Sequence, residues 1–532
     1  MIRLAIIGFG PRGLTVLERV SAHLRDAPVD VAVDIFDSGT SMGWGVHSPR
    51  LPDYLRLNTI AGQLTAYTDP AMVSPGAPVT PGPTFYEWVR RNGVTITEWG
   101  LTRTPGSADF LPRSVLGHYL SEAAERFTEH SGPRITVTVH RTPVTKVATN
   151  GACAQVTTIT GRHDSDLLFI ATGHGDNDAG PTPDTTHIKP ARRVLLRGMG
   201  LTAMDMVADL TVGRGGRFSV AEEDTRTLVY AASGEEPQIV LASRSGQLPA
   251  ARPHIDPTGP AHHSPHFAYG LTESLRRHLE HADDPRDAGR EMIIEGLSEG
   301  LTVDERRRLA RKLAEPCIWP DYQTYSGSVL SDAEWDVDQA TAGISGSRYK
   351  SVVESLRTNR EQFRIAVDHA DPELRRKFFA ATPDLINRLV IGPQKERIIE
   401  LLALIKAGVV RLAPGPDPDV VRTHDTYQVI SRWLRTPETV TVDEVVEARV
   451  TAPAPLIGTA NTPPHLSGAQ LLTETGPAPI CIVGPPAEGT SYYNHYVPSP
   501  GVSSRAHREL DAVITRAFGP LLTRRPSVAA SL

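Results

Sequence analysis

Two stretches of the chain share one pattern of apolar and glycine positions. Residues 2–7 form a short apolar run, followed by Gly8, Gly10 and Gly13 and then by Leu14, Leu17 and Val20 at helical spacing. This predicts a buried parallel strand, a tight turn and an amphipathic helix. The run VLLRGMG at 194–200 repeats the design, with Gly198, Gly200 and then Leu201, Thr202 and Ala203 opening a helix over TAMDMVADL. Each unit is followed by another apolar run. VAVDIF (31–36) closes on Asp37, and QIVLASRSG (238–246) carries Ser243 and Arg244 near its end. DLLFIATGHG (166–175) is a further strand, ending in Ala171, Thr172 and Gly173. From about 271 to 410 the pattern becomes helical and strongly charged, as in ESLRRHLEHADD, and such runs are usually solvated helix faces. Within it Ile398, Leu401, Leu402 and Ile405 make a core-facing stripe. Strands return with TVDEVVEARVTAP and again at 479–484.

The glycine spacing carries chemistry. In G-x-G-x-x-G the first glycine permits the turn, the second lets a pyrophosphate approach the backbone, and the third lets helix pack on strand. The helix N-terminus then offers free N–H groups and a positive dipole end to the phosphates. Gly8, Gly10, Pro11, Arg12 and Gly13 fit this role, and Asp37 can accept hydrogen bonds from ribose hydroxyls. At the second turn, formed by Gly198, Gly200, Leu201 and Thr202, the strand that follows ends in Ser243-Arg244 instead of an acid. A guanidinium there suits the 2′-phosphate of NADP. Two turns of these two kinds imply FAD and NADPH, one cofactor delivering hydride and the other receiving it.

Composition narrows the picture. The 532 residues are 40% hydrophobic and 22% charged, an ordinary globular balance, and the net charge of −6 argues against general affinity for nucleic acid. The three cysteines are far apart, which indicates neither a disulfide framework nor a zinc site. The loop ARPHIDPTGPAHHSPHF (251–267) is rich in histidine, but proline and glycine interrupt it and no metal-ligand spacing fits, so no metal is expected. The first apolar run is too short for a membrane span, and a soluble cytoplasmic protein without a membrane partner is expected. Oligomeric state is left open.

The Gly8 turn, the Ala171-Thr172-Gly173 strand end and the second turn stand in the order of two-dinucleotide-binding-domain flavoproteins. The segments GPRGL, LRLNT, FLPRSVLGHYL and RGMGLTAMD resemble bacterial FAD/NAD(P)-binding proteins related to N-hydroxylating flavin monooxygenases, including the aspartate N-hydroxylating, nitrosuccinate-forming branch. The late stretch PICIVGPPAEGTSYYNHYVPSPG is similar to the family's returning FAD strand, except that Gly484-Pro485 replaces the acid often found at its end. The resemblance implies an α/β fold of two Rossmann-like domains with a helical insertion. Residues 1–190 would begin the FAD domain, 191–250 form the NADPH core, 251–440 cap the substrate, and 441–532 return to the FAD domain. Thr172 and Gly173 would bind cofactor.

The resemblance also places Trp44, Gly45 and His47 near the flavin, although Trp44 could equally be a packing aromatic. Asn58 and Thr59 would meet flavin or substrate, against an Asx-turn cap for Asn58. Asn494 and His495 are the polar groups of the terminal loop and, with Asn58, the candidate catalytic residues. Arg113 could meet a phosphate or carboxylate, or form a surface ion pair. The implied activity is an FAD- and NADPH-dependent monooxygenase that uses O2 to hydroxylate the amine of a small amino acid such as aspartate through a flavin C4a-hydroperoxide. A flavin dehydrogenase or reductase without oxygenation, and a non-enzymatic nucleotide-binding interaction protein, are the alternatives.

Overall fold

The computed structural model describes residues 1–150, 152–173, 183–221, 224–255, 265–449, 465–474, 476–494 and 496–522. The strand Ile2–Ile7 lies inside a seven-stranded sheet, between Val31–Phe36 and Leu167–Ile170, and pairs with both in parallel. Ile135–His140 extends one side, and Gly476–Ile482 pairs in parallel with Leu167–Ile170 on the other. These central strands are apolar on both faces because helices cover one face and the strand Cys153–Thr158, through Ala154 and Val156, covers the other. Pro11–Leu24, Arg113–Glu129 and Arg505–Leu522 supply the core with Leu17, Leu120 and Ile514, all at most 1% exposed.

A second, wholly parallel sheet has the order Val410–Leu412, Gln238–Ala242, Arg193–Arg197, Glu444–Glu447. This corrects the expected boundaries. Residues 410–412 and 444–447 complete the second domain and belong neither to the cap nor to the returning FAD segment. The physical reason is that both strands are very short, and EVVE at 444–447 has no apolar face that marks which sheet it joins. The two domains are built alike. In each, a three-stranded antiparallel meander (144–165 in the first, 419–442 in the second) leads directly into the last parallel neighbour of the central strand.

Between 265 and 406 the described residues form eight helices. They serve two cores. Tyr325, Val329 and Ala333 from Tyr322–Gly346, with Ile398 and Leu401 from Lys395–Lys406, pack on the second sheet. The others enclose a separate core around Phe363, Phe378 and Leu385. Tyr492 of the terminal loop inserts into that core, its ring centroid 5.2 Å from that of Phe378. The cap is thereby tied to the first domain as well as the second. No described helix is long and apolar enough to cross a membrane.

Candidate functional site

The first glycine turn has the shape its spacing predicts. Gly8 sits at φ +93°, and a Cβ there would lie 2.5 Å from the Ala171 carbonyl oxygen. A Cβ on Gly13 would lie 2.1 Å from the Gly8 oxygen, so helix and strand meet more closely than any side chain permits. Gly10 caps the helix Pro11–Leu24 without a side-chain cap, which leaves first-turn N–H groups for an outside acceptor. These features form the cradle a pyrophosphate requires, and FAD fits it. The loop that follows the Asp37 strand lies across this helix end. A Cβ on Gly45 would meet Pro11 Cδ at 2.9 Å, and Ser41 Oγ both donates to Phe9 O and accepts from Gly45 N.

Asp37 closes the second strand as expected. Its carboxylate accepts from the N–H groups of Phe9 (2.7 Å) and Gly39 (2.9 Å), so it also shapes the turn. Trp44 is half-buried against the first core. Arg12 points from the helix start into the terminal loop, 4.1 Å above the Tyr496 ring, with Nη2 donating to Asn494 O. Its Nε and Nη1 have no partner among the described residues. Asn494 is buried, and its amide is committed within the loop. It donates to Glu488 and to Ser491 O and accepts from Arg505 and Ser491, which makes it a group that holds the loop. His495 lies outside the described residues, as do Asp256, His262 and His263 of the histidine-rich loop.

Asn58 and Thr59 lie where the first domain meets the cap. Gln394 donates to Leu57 O, Arg397 to Tyr54 O, and Arg357 Nη2 to Thr59 Oγ1 at 3.0 Å. The Asn58 amide makes no hydrogen bond among the described residues, so it is not an Asx cap. Arg252, 1% exposed, stands close to Arg357, and Glu354 accepts from it at 3.0 Å. Burial, together with the like charge of Arg357, lowers the Arg252 guanidinium to about 10. Two cations thus share one near carboxylate beside Thr59, and Arg252 Nε and Nη2 have no partner among the described residues.

At the second turn Gly198 (φ +155°) approaches Ala448 O, where a Cβ would lie 2.4 Å away, just as Gly8 approaches Ala171. Gly200 begins the helix Leu201–Thr211 with open space where its Cβ would be and no side-chain cap. Thr202 lies in the first turn of that helix. Ala203 is fully buried in the place of a third glycine. NADPH fits this turn. Thr172 and Gly173 are half-buried after the strand Leu167–Ile170, and Gly173 has φ +64°. Ser243 Oγ lies 3.4 Å from Met199 Sδ, which brings Arg244 next to the turn.

Arg113 is a correction to both readings of its sequence. It joins the two domains, with Nη2 2.6 Å from Asp205 on the second glycine-turn helix and Nε donating to Arg56 O. Tyr54 likewise donates to Asp209 of the same helix at 2.6 Å. Gly117 explains the close approach of the Arg113 helix to the 41–49 loop, since a Cβ there would strike His47 O at 2.0 Å.

Burial, with Arg113 beside it, holds the His47 imidazole at about 3, and burial does the same for His507 near Arg19 and Arg12. Both are neutral when folded and protonate near 6.5 when unfolded. The unfolded chain therefore binds more protons below pH 6.5, and stability is lost as pH falls from there toward 3. His507→Gln should flatten that slope in urea unfolding measured across this window. An unchanged slope would mean that His507 is solvated or paired as a cation.

Residues 5–175 match the family model described as FAD-NAD(P)-binding. Over its whole length the chain is similar to a nitrosuccinic acid synthase of Aspergillus oryzae, 26% identical, with 98% of this chain and 94% of the relative aligned. An L-aspartate N-monooxygenase (nitrosuccinate-forming) of Streptomyces cremeus is 27% identical over 79% of this chain and 75% of its own. Among solved structures, an FAD-bound cadaverine monooxygenase of Erwinia amylovora aligns over 99% of this chain and 97% of its own, at 11% identity and a TM-score of 0.43.

Sequence reasoning missed Arg252, Arg357, Gln394 and Asp205. Arg252 and Arg357 stand among many arginines in charged stretches, and no local spacing separates them from solvated ones. Asp205 carried one signal, an acid set between Met204 and Met206 on the apolar side of its helix, where an unpaired charge would be costly.

Proposed function

We propose that the chain is an FAD- and NADPH-dependent monooxygenase that hydroxylates the amine nitrogen of a small acidic amino acid, with aspartate the first candidate. The observation that carries this reading is the Arg252–Arg357 pair, two cations with one near carboxylate, set against the loop that bears the free Asn58 amide. The names of the aligned relatives support aspartate. Bound FAD, reduced by NADPH, supplies the activation of O2.

The chain's own groups do the rest. The first turn would hold the pyrophosphate of FAD on backbone N–H groups, and the second turn would hold NADPH. Arg113–Asp205 and Tyr54–Asp209 set the two glycine turns in a fixed register, as two cofactors that must meet would require. Arg357 binds a substrate carboxylate, and Asn58 orients the amine by donating or accepting. Ile60, Phe110, Ile255 and the half-buried Ile344 pack together behind this loop and exclude water.

The overall balance is amine, O2, NADPH and a proton giving hydroxylamine, water and NADP+. Only the neutral amine carries a lone pair that can take an oxygen atom. Turnover is therefore expected to rise with pH through the amine's effective pKa in the site. The test uses aspartate with isotopically labelled O2. Label on the product nitrogen supports the proposal. NADPH oxidation recovered entirely as hydrogen peroxide or reduced acceptor, with no labelled nitrogen for any acidic amino acid, moves the chain to the reductases.

A further inference from the structure

Arg244 does not stand alone at the end of its strand. Its Nη2 lies 2.7 Å from Asp384 Oδ2, and the same oxygen accepts from Arg286 at 2.6 Å and from Arg388 at 3.2 Å. The three arginines come from three elements. Arg244 follows the strand Gln238–Ala242 of the second domain, Arg286 opens the cap helix Pro285–Leu297, and Arg388 ends the cap helix Pro372–Val390. Glu315 pairs with Arg286, so three cations meet two carboxylates.

The place of this cluster is informative. Gly198 N donates to Ala242 O at 2.7 Å, and Ser243 touches Met199 inside the glycine turn. The arginines therefore flank the end of the strand against which a dinucleotide's adenosine half lies. One side is open, with Asp384 and Arg244 each 53% exposed, while Arg286 and Arg388 are largely covered at 19% and 12%. An ordinary surface ion pair needs one partner of each sign and contributes little. Three guanidinium groups crowded on one carboxylate oxygen repel one another, and a group with several charged oxygens would hold them better. A phosphate monoester offers three oxygens and close to two negative charges.

We infer that Arg244, Arg286 and Arg388 together form the receptor for the 2′-phosphate of NADPH, with Asp384 gathering the three side chains and swinging aside for the phosphate. The inference rests on the NADPH reading above and adds that two thirds of the cofactor-selecting charge comes from the cap. The half-exposed Asp384 side chain has room to turn outward. The cap thereby senses the cofactor directly, through the two helices that carry Arg286 and Arg388.

The test is calorimetric titration of the FAD-loaded protein with 2′,5′-ADP and with 5′-AMP, which differ only in the 2′-phosphate. Wild type should prefer 2′,5′-ADP. Arg286→Ala and Arg388→Ala should each weaken 2′,5′-ADP roughly ten- to a hundredfold and leave 5′-AMP within about twofold. Arg286→Lys should recover part of the loss, and Asp384→Asn should tighten 2′,5′-ADP by removing the competing charge. Should Arg388→Ala fail to fold, Arg286→Ala and Arg286→Lys decide. Unchanged 2′,5′-ADP affinity in the Arg286 variant, with affinity lost in Arg244→Ala, overturns the cap's part and leaves the NADPH reading standing. Equal binding of both probes by wild type overturns the NADPH reading itself.

Discussion

Gly10→Val is expected to give a folded chain that purifies without flavin. The three glycines of the first turn do different work, and the geometry separates them. Gly8 needs φ +93° and has a backbone oxygen 2.5 Å from where a Cβ would stand, and Gly13 would strike backbone at 2.1 Å. Substituting either one disrupts the strand–helix junction and cannot report on a ligand. Gly10 has φ −89°, which any residue adopts, and its Cβ would meet Gly45 alone, with Cα at 3.2 Å and N at 3.6 Å. A shift of a few tenths of an ångström in that loop accommodates it. The valine branches then occupy the space in which a pyrophosphate approaches the helix N-terminus. The purified variant should lack the visible flavin spectrum and melt like flavin-stripped wild type, because it loses only the stabilisation that binding supplies. Normal flavin content would remove FAD from this turn.

Arg357→Ala should raise KM for the acidic amino acid by roughly ten- to a hundredfold, as the loss of one charge-assisted hydrogen bond predicts. Reduction of the flavin by NADPH should be nearly unaffected, because the partners of Arg357 are Thr59, Val390 and Glu354, none of which belongs to a glycine turn. Arg357→Lys should recover part of the affinity but not the planar two-point contact. With carboxylate binding weakened, more NADPH should be consumed per hydroxylamine formed. Equal losses in substrate affinity and in the rate of flavin reduction would mark Arg357 as structural, through its bond to Thr59. An unchanged KM would place the carboxylate elsewhere in the cleft.

The sequence alone determined the two nucleotide turns and the kind of domain each begins. That chemistry is local. A strand, two or three glycines and a helix start lie within about a dozen residues, and the backbone conformation that Gly8 and Gly198 must adopt is written in the residue type. The helical character of 265–406 was legible for the same reason, since its periodicity repeats every few residues. Asp37 and Arg244, each closing a strand after a turn, were legible as candidate nucleotide contacts because a Rossmann unit sets their offset.

Only the tertiary structure decided what those groups touch and where the domains end. A parallel sheet joins strands that are far apart in sequence, so 410–412 and 444–447 find Gln238–Ala242 and Arg193–Arg197 across an insertion that no local pattern bridges. Long charged side chains choose partners only after helices pack. Arg113 thus became the bond between domains, Arg357 came to Thr59, and Arg286 and Arg388 joined Arg244 on one carboxylate. Asn494 shows the same dependence in reverse. Its amide looked free to act, and the folded loop takes up its hydrogen bonds because burial leaves no water to satisfy them.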